Sequence, residues 1–259
     1  MSTLGQFLEF SVHTSDVLES LQFYKTLGFV ELEIGDVWAH KYAVVSDGDI
    51  NIGLHDREFD SPAVTFVKQN LAKGVRKMTD HGFDFSVMQL GEDSFNEVGF
   101  VDRDGHMIQM VEARTFHASE EADRDSLCGS LLELTLPVRD TLRAAQFWAP
   151  IAPTLLDMRE EPTTHMRFDA NGVPLGLSES IALEGASLSF KCADRAHLML
   201  ILKQSGMDFE KFPGFEGAFV AIRAPEGTML YVFNEDFLGE SYEVEETDHF
   251  NILPGGSTA

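Results

Sequence analysis

The chain has 259 residues, 44% of them apolar, which is enough for one large domain or two of ordinary size around a packed core. Its 43 acidic and 19 basic residues give a formal charge of -24, a field that repels phosphate backbones and anionic surfaces, so no nucleic acid and no membrane is expected as a partner. Two cysteines, Cys128 and Cys192, supply neither a disulfide framework nor a zinc knuckle, and neither a basic-then-apolar opening nor a bilayer-length apolar run is present, so a cytoplasmic protein is expected.

The first element is the stretch FLEFSVHTSD, Phe7 to Asp16. Leu8, Phe10 and Val12 alternate with Phe7, Glu9 and Ser11, which predicts a strand over 7–12 with a carboxylate in its middle. Ser15 or Asp16 caps an amphipathic helix carrying Val17, Leu18, Leu21 and Phe23, and Gly28 stops it. Strands follow near 29–34, 37–45 and 50–55, with turn signals at Gly35-Asp36 and Asp47-Gly48-Asp49. After Ser61-Pro62 the order repeats: a strand over 63–67, a helix over about 69–81 ended by Gly82, then strands near 83–89, 95–102 and 106–112. Residues 1–115 therefore read as βαβββ twice.

A polar, acidic link over 116–128 leads into a second copy. LGQFLEFSVHTSDVLESLQFY is echoed by CGSLLELTLPVRDTLRAAQFW, so that Glu9 answers Glu133, Asp16 answers Asp140 and Tyr24 answers Trp148. HGFDFS returns as SGMDFE, and RDGHMIQMV as PEGTMLYVF. A period this long marks a duplicated domain, here 129–238, rather than a solenoid. The copy is degenerate near 150–160, where Ala149-Pro150 and Ala152-Pro153 break the helix early. Residues 239–259 form an acidic C-terminal tail.

Four βαβββ units, with Asp16, Phe23-Tyr24 and Leu27-Gly28-Phe29 after the first strand and Asp102 to Gly105 before the last, resemble the vicinal oxygen chelate superfamily. Glyoxalase I, bleomycin-resistance proteins and extradiol dioxygenases belong to it. The resemblance covers about 5–235 and implies an α+β fold, two tandem domains with cupped mixed sheets. It also implies a divalent ion held by the first and last strands of each unit, usually by His or Gln, Glu, His and Glu. Carried onto this chain, those positions fall on Glu9, Gly53, Ala63 and Gln109, then on Glu133, Gly176, Ser187 and Tyr231. None is a histidine, and glycine and alanine donate nothing, so no metal or other cofactor is expected. The alternative is iron, manganese or zinc on Glu9, His55 and Gln109 of the first copy.

Several residues are candidates for a site inside the cups. Glu9 and Glu133 sit on the strand face away from the helices, with Phe7 beside Glu9. Each is either a desolvated carboxylate with a raised pKa, able to take a proton or grip a ligand, or a structural group satisfied by its neighbours. Trp38, His40 and Tyr42 share one face of a strand and either line the cup or pack the sheet. His165 and Arg167 are their loose counterparts in the second copy, where the arginine pairs with a substrate anion or with Glu133. Gln109 needs a polar partner if buried, and Tyr231 reads as cup filling. Catalysis, if any, falls to Glu9 and His40; ligand contacts fall to Phe7, Trp38, His40, Tyr42, His55, Gln109, Glu133 and Tyr231.

The expected function is a metal-independent cup binding a small apolar or aromatic molecule, on a monomer or homodimer. One alternative is a lyase, isomerase or extradiol dioxygenase with a divalent metal in the first domain. Another is a non-catalytic regulatory or scaffolding duplicate.

Overall fold

The computed structural model describes residues 3–33, 40–91, 95–113, 126–151, 154–160, 163–212 and 217–235. Trp38, most of the 116–128 link and the tail from 239 lie outside the described residues. The first half runs β1 (Gln6–His13), α1 (Val17–Thr26), β2 (Val30–Leu32), β3 (Tyr42–Ser46) and β4 (Asn51–His55). It continues with β5 (Ala63–Lys68), α2 (Leu71–Asp80), β6 (Val87–Gln89), β7 (Glu97–Val101) and β8 (Met107–Glu112). The second half repeats this as β9 (Ser130–Pro137), α3 (Thr141–Trp148), β10 (Thr154–Arg159), β11 (His165–Asp169) and β12 (Pro174–Ser178). Then come β13 (Ser187–Cys192), α4 (Arg195–Ser205), β14 (Phe209–Glu210), β15 (Phe219–Arg223) and β16 (Met229–Asn234).

Each half is one mixed eight-stranded sheet, in the order β2-β3-β4-β1-β5-β8-β7-β6 and β10-β11-β12-β9-β13-β16-β15-β14. The fold is α+β, and the two units of each half pair with one another. The seam is β1 against β5, antiparallel, and β9 against β13. The helices start where the sequence signals them. Asp16 accepts from the backbone N–H groups of Leu18 and Glu19, and Asp140 from that of Arg143, which satisfies donors the first helical turn leaves open. β6 is shorter than the expected 83–89, because Phe83 leaves the strand path to pack on Phe100 and on Phe147 of the other half.

The helix-side faces of both sheets merge into one core cluster that holds Phe10, Phe66, Phe190, Leu134 and Trp148. The halves interlock reciprocally. The backbone N–H of Phe7 donates to Asn171 O in the β11–β12 turn, and that of Leu131, the counterpart of Phe7, donates to Asp49 in the β3–β4 turn. The β15–β16 turn places Glu226 against Ser20 and the Tyr24 hydroxyl on α1 (2.9 and 2.6 Å), while the β7–β8 turn places Asp104 against Arg139 before α3 (2.9 Å).

One expectation from strict alternation fails in β1. A bulge between Phe7 and Glu9 sets Phe7 opposite Phe66 and Glu9 opposite Thr65. The extra residue returns Phe7 to the core face, where its ring meets that of Phe66 edge-on at 6.1 Å. Phe7 is therefore a core residue and not a cup contact. Among the described residues no helix is long and apolar enough to cross a membrane.

Candidate functional site

Alternation places Glu9 and Ser11 of β1, Gly53 and His55 of β4, Tyr42 of β3, Thr65 of β5 and Gln109 of β8 on the sheet face opposite the helices. Glu9, the carboxylate of the opening strand, is 3% exposed. Its Oε1 accepts from Ser11 Oγ (2.7 Å) and pairs with His55 Nε2 (2.9 Å), and its Oε2 accepts from the Tyr42 hydroxyl. Ser11 Oγ also meets Thr65 Oγ1 (2.7 Å), which reaches Gln109 Oε1 (3.4 Å). His55 stacks on Tyr42 with ring centres 4.4 Å apart, and His40 Nε2 lies 3.0 Å from His55 Nδ1. Five of the expected residues, Glu9, His40, Tyr42, His55 and Gln109, are thus one network.

The network fixes protonation states. Burial alone would push the Glu9 carboxyl up, but the hydrogen bond and charge of His55, with the bonds from Tyr42 and Ser11, hold it below its usual range. Of the two readings open for Glu9, the geometry favours the structural one: the carboxyl is ionised and satisfied by its neighbours rather than raised and poised to take a proton. A carboxylate only accepts, so His55 carries its proton on Nε2. The other nitrogen of His55, Nδ1, shares its hydrogen bond with His40 Nε2, the tautomers setting which of the two donates. Burial, then the neighbouring His55 and Arg57, lower the His40 pKa, so this ring is neutral near pH 7. Burial and Glu9 push the Tyr42 phenol far up, which keeps it a donor.

Across the same face, Arg57 after β4 reaches Glu97 at the start of β7 (3.1 Å) and ties the two wings of the sheet together. Sequence reasoning did not single out this pair, nor Ser11 and Thr65 as partners of Glu9. Ser11 was signalled by position, since Ser11 and Thr135 both stand two residues after the glutamate and so share its face.

The second half keeps a smaller version. Glu133 accepts from Thr135 Oγ1 (2.7 Å) and pairs with His165 Nε2 (3.0 Å). His165 occupies the place of Tyr42 and Ser178 that of His55, since each pair is opposed in register. Arg167 makes no ion pair with Glu133. Tyr231 stands in the row of Ser189 and Glu133, at the edge of an apolar cluster of Phe212, Ala218, Phe219, Ala221 and Met229 that is separate from the main core.

The metal positions carried over from the resemblance do not fit an ion. A Cβ on Gly53 would overlap the Glu9 carboxylate, and one on Gly176 the Glu133 carboxylate, so each glutamate occupies the space of a neighbouring ligand side chain. Of the alternative set, Glu9 and His55 spend their donor and acceptor atoms on each other and on His40. Among the described residues no three His, Cys, Asp or Glu side chains converge as a metal-holding group. A cavity of about 680 Å³ lies beside the network, lined by His40, Lys41, Tyr42, Ala43, Asp56 and Glu31 from the sheet edge and by Ser15 to Leu18 and Leu21 from α1.

No protein-family model matches the chain, and no curated protein matches its sequence. Solved structures do match in fold. A catechol 2,3-dioxygenase aligns over 89% of this chain and 88% of its own, with a TM-score of 0.58 and 13% identity. A variant of homoprotocatechuate 2,3-dioxygenase from Brevibacterium fuscum aligns over 90% and 71%, with a TM-score of 0.59 and 13% identity. The Mn(II)-bound glyoxalase from Novosphingobium aromaticivorans aligns over 91% and 83%, with a TM-score of 0.58 and 12% identity.

Proposed function

The chain has the fold of the vicinal oxygen chelate superfamily, and we infer that its first half is a metal-independent site for a small apolar or aromatic molecule with polar substituents. The observation that carries this reading is the chain Glu9–His55–His40, which ends at a partly exposed imidazole lining the cavity beside α1. Val17, Leu18, Leu21 and Ala43 give that cavity apolar surface. His40, Lys41, Glu31 and Asp56 give it polar contacts, a division suited to such a ligand.

A second reading, a lyase or isomerase that moves a proton, is favoured by the same relay. The linked His40 and His55 rings can exchange a proton with a bound molecule at the cavity, and ionised Glu9, bonded to His55, stabilises the charged form of the pair. The dioxygenase alternative has support from the fold likeness, but the Glu9–Gly53 arrangement offers an ion no open donor set.

Metal analysis of protein purified without chelator, followed by a thermal-shift screen of small phenols and carbonyl compounds, tests the reading. The expected result is saturable stabilisation without stoichiometric metal, weakened in His40→Ala. Stoichiometric iron, manganese or zinc overturns it. Turnover of a stabilising compound, lost in His40→Ala, establishes the enzyme.

A further inference from the structure

We propose that the first half carries an anion site between β5 and α2, where Lys68, Lys73 and Lys77 hold the phosphate group of a small ester or the free ion. A cavity of about 210 Å³ opens there, lined by these three lysines together with Thr3, Gln69 and Asn70. Among the described residues that line it none is acidic. The whole chain has 43 acidic residues and only eight lysines, so three lysines around one hollow run against the charge of the molecule. The cavity shares no lining residue with the one beside His40, and the site stands independently of the reading given to that one.

The half-buried Lys68 side chain is laid across α2. A Cβ on Gly74 would stand 2.8 Å from Lys68 Cε, so the bare glycine leaves the stem its path. Lys73 and Lys77 stand one turn apart on the helix, both exposed. Burial, then the charge of Lys77, lowers the Lys68 pKa, so these two ammonium groups oppose one another. Like charges gathered around a hollow repel, and an anion among them relieves that repulsion. Glu112, opposite Lys68 in register, gives Oε1 to the Leu71 N–H (3.1 Å) and Oε2 to Asn96 Nδ2 (2.5 Å).

The duplication supplies an internal control. At an offset of 124 the second half has Cys192 for Lys68, His197 for Lys73, Ile201 for Lys77 and the buried Leu198 for Gly74. Asp194 accepts from the His197 N–H, whereas Asn70 in the same place makes no side-chain capping bond. The copy is an acid-capped helix packed on the core. In the first half glycine leaves room where leucine fills, and an uncharged amide stands where the copy has a carboxylate. Three ammonium groups lining one hollow suit a tetrahedral oxyanion, whereas a planar carboxylate is better matched by an arginine fork.

Titration of the full chain with inorganic phosphate and with glycerol 3-phosphate, in low-salt chloride buffer at about pH 7.5 where both are largely dianionic, tests the proposal by calorimetry and ³¹P line broadening. Saturable one-to-one binding is expected, weakening as salt is added. Lys73→Ala and Lys77→Ala are each expected to weaken it about three- to tenfold, and Lys68→Met, which keeps the stem over Gly74, about tenfold, the scale of a lost charge-assisted bond. The two exposed positions decide the matter if Lys68→Met does not fold. Tighter binding of glycerol 3-phosphate identifies an ester as the occupant, and equal or weaker binding identifies the free ion. No saturable binding of either probe up to about 10 mM, the bound of a millimolar affinity, overturns the proposal. Binding that survives unchanged when Lys73→Ala and Lys77→Ala are combined overturns it as well.

Discussion

Gly53 lies beneath the Glu9 carboxylate, in the space that a side chain at position 53 would need. Gly176 lies beneath Glu133 in the same way. The two halves therefore share a device: an internal carboxylate over a glycine, held by a hydroxyl two residues further on and by an imidazole.

A methyl at position 53 forces the carboxylate to move, and three hydrogen bonds move with it. Gly53→Ala is expected to cost about 2 to 3 kcal/mol, the range for overpacking with loss of buried bonds. In a Glu9→Ala background the methyl has room, and its cost should drop below about 1 kcal/mol. Urea denaturation of the double-mutant cycle measures the difference. An additive cycle would show that the overlap is relieved some other way.

Glu9 is held below its ordinary range in the folded state, so its contribution to stability is present above the unfolded value of 4.5 and lost as pH falls through the folded value. Glu9→Gln removes that dependence. The variant is expected to be about 2 to 3 kcal/mol less stable at pH 7, the scale for disrupting a buried charged hydrogen bond, with the gap closing in acid. Denaturation midpoints between pH 3 and 7 follow it.

Asp47 is the opposite case. Burial pushes its carboxyl up to about 6, while the backbone N–H groups of Ile50 and Asp49 only partly compensate, and Oδ2 has no partner. The folded state binds the proton more tightly than the unfolded chain, so stability falls as pH rises from about 4 to about 6. Asp47→Asn keeps an oxygen for both N–H groups and loses the charge. It is expected to stabilise the protein by about 1 to 2 kcal/mol at pH 8, below the limit set by about 1.4 kcal/mol for each tenfold difference in proton affinity between the folded and unfolded chain. The gain should vanish below pH 4, as scanning calorimetry at both pH values would show.

The duplication, the start of α1 at Ser15 or Asp16 and the strand order of each unit were legible because the repeat, the capping side chains and the apolar alternation are local signals. Which units share a sheet was not legible, since nothing in a single strand names its antiparallel partner. Phe7 was misplaced because a bulge adds one residue without changing composition, and one residue reverses a strand's faces. Glu9, Tyr42, His55 and Gln109 were legible as a shared face. The low pKa of Glu9 was not, because it depends on the distances to Ser11, Tyr42 and His55 rather than on their presence.

His55 and His40 should separate in their effects. His55 is 6% exposed and bonded to Glu9, so His55→Ala leaves a buried carboxylate short of a partner and is expected to cost about 3 kcal/mol. His40 is partly exposed and bonded onward to His55, so His40→Gln is expected to cost under about 1 kcal/mol. Burial and the adjacent His55 and Arg57 lower the His40 pKa, so the ring stays neutral above pH 6.5 and charges only as pH falls below it. A ligand that donates to neutral His40 is then held at pH 7 and released in acid, with a midpoint below 6.5 in the wild type and no such midpoint in His40→Gln. A pH series of ligand-induced thermal shifts reads both. A midpoint that survives His40→Gln would move the titrating group elsewhere and remove His40 from the site.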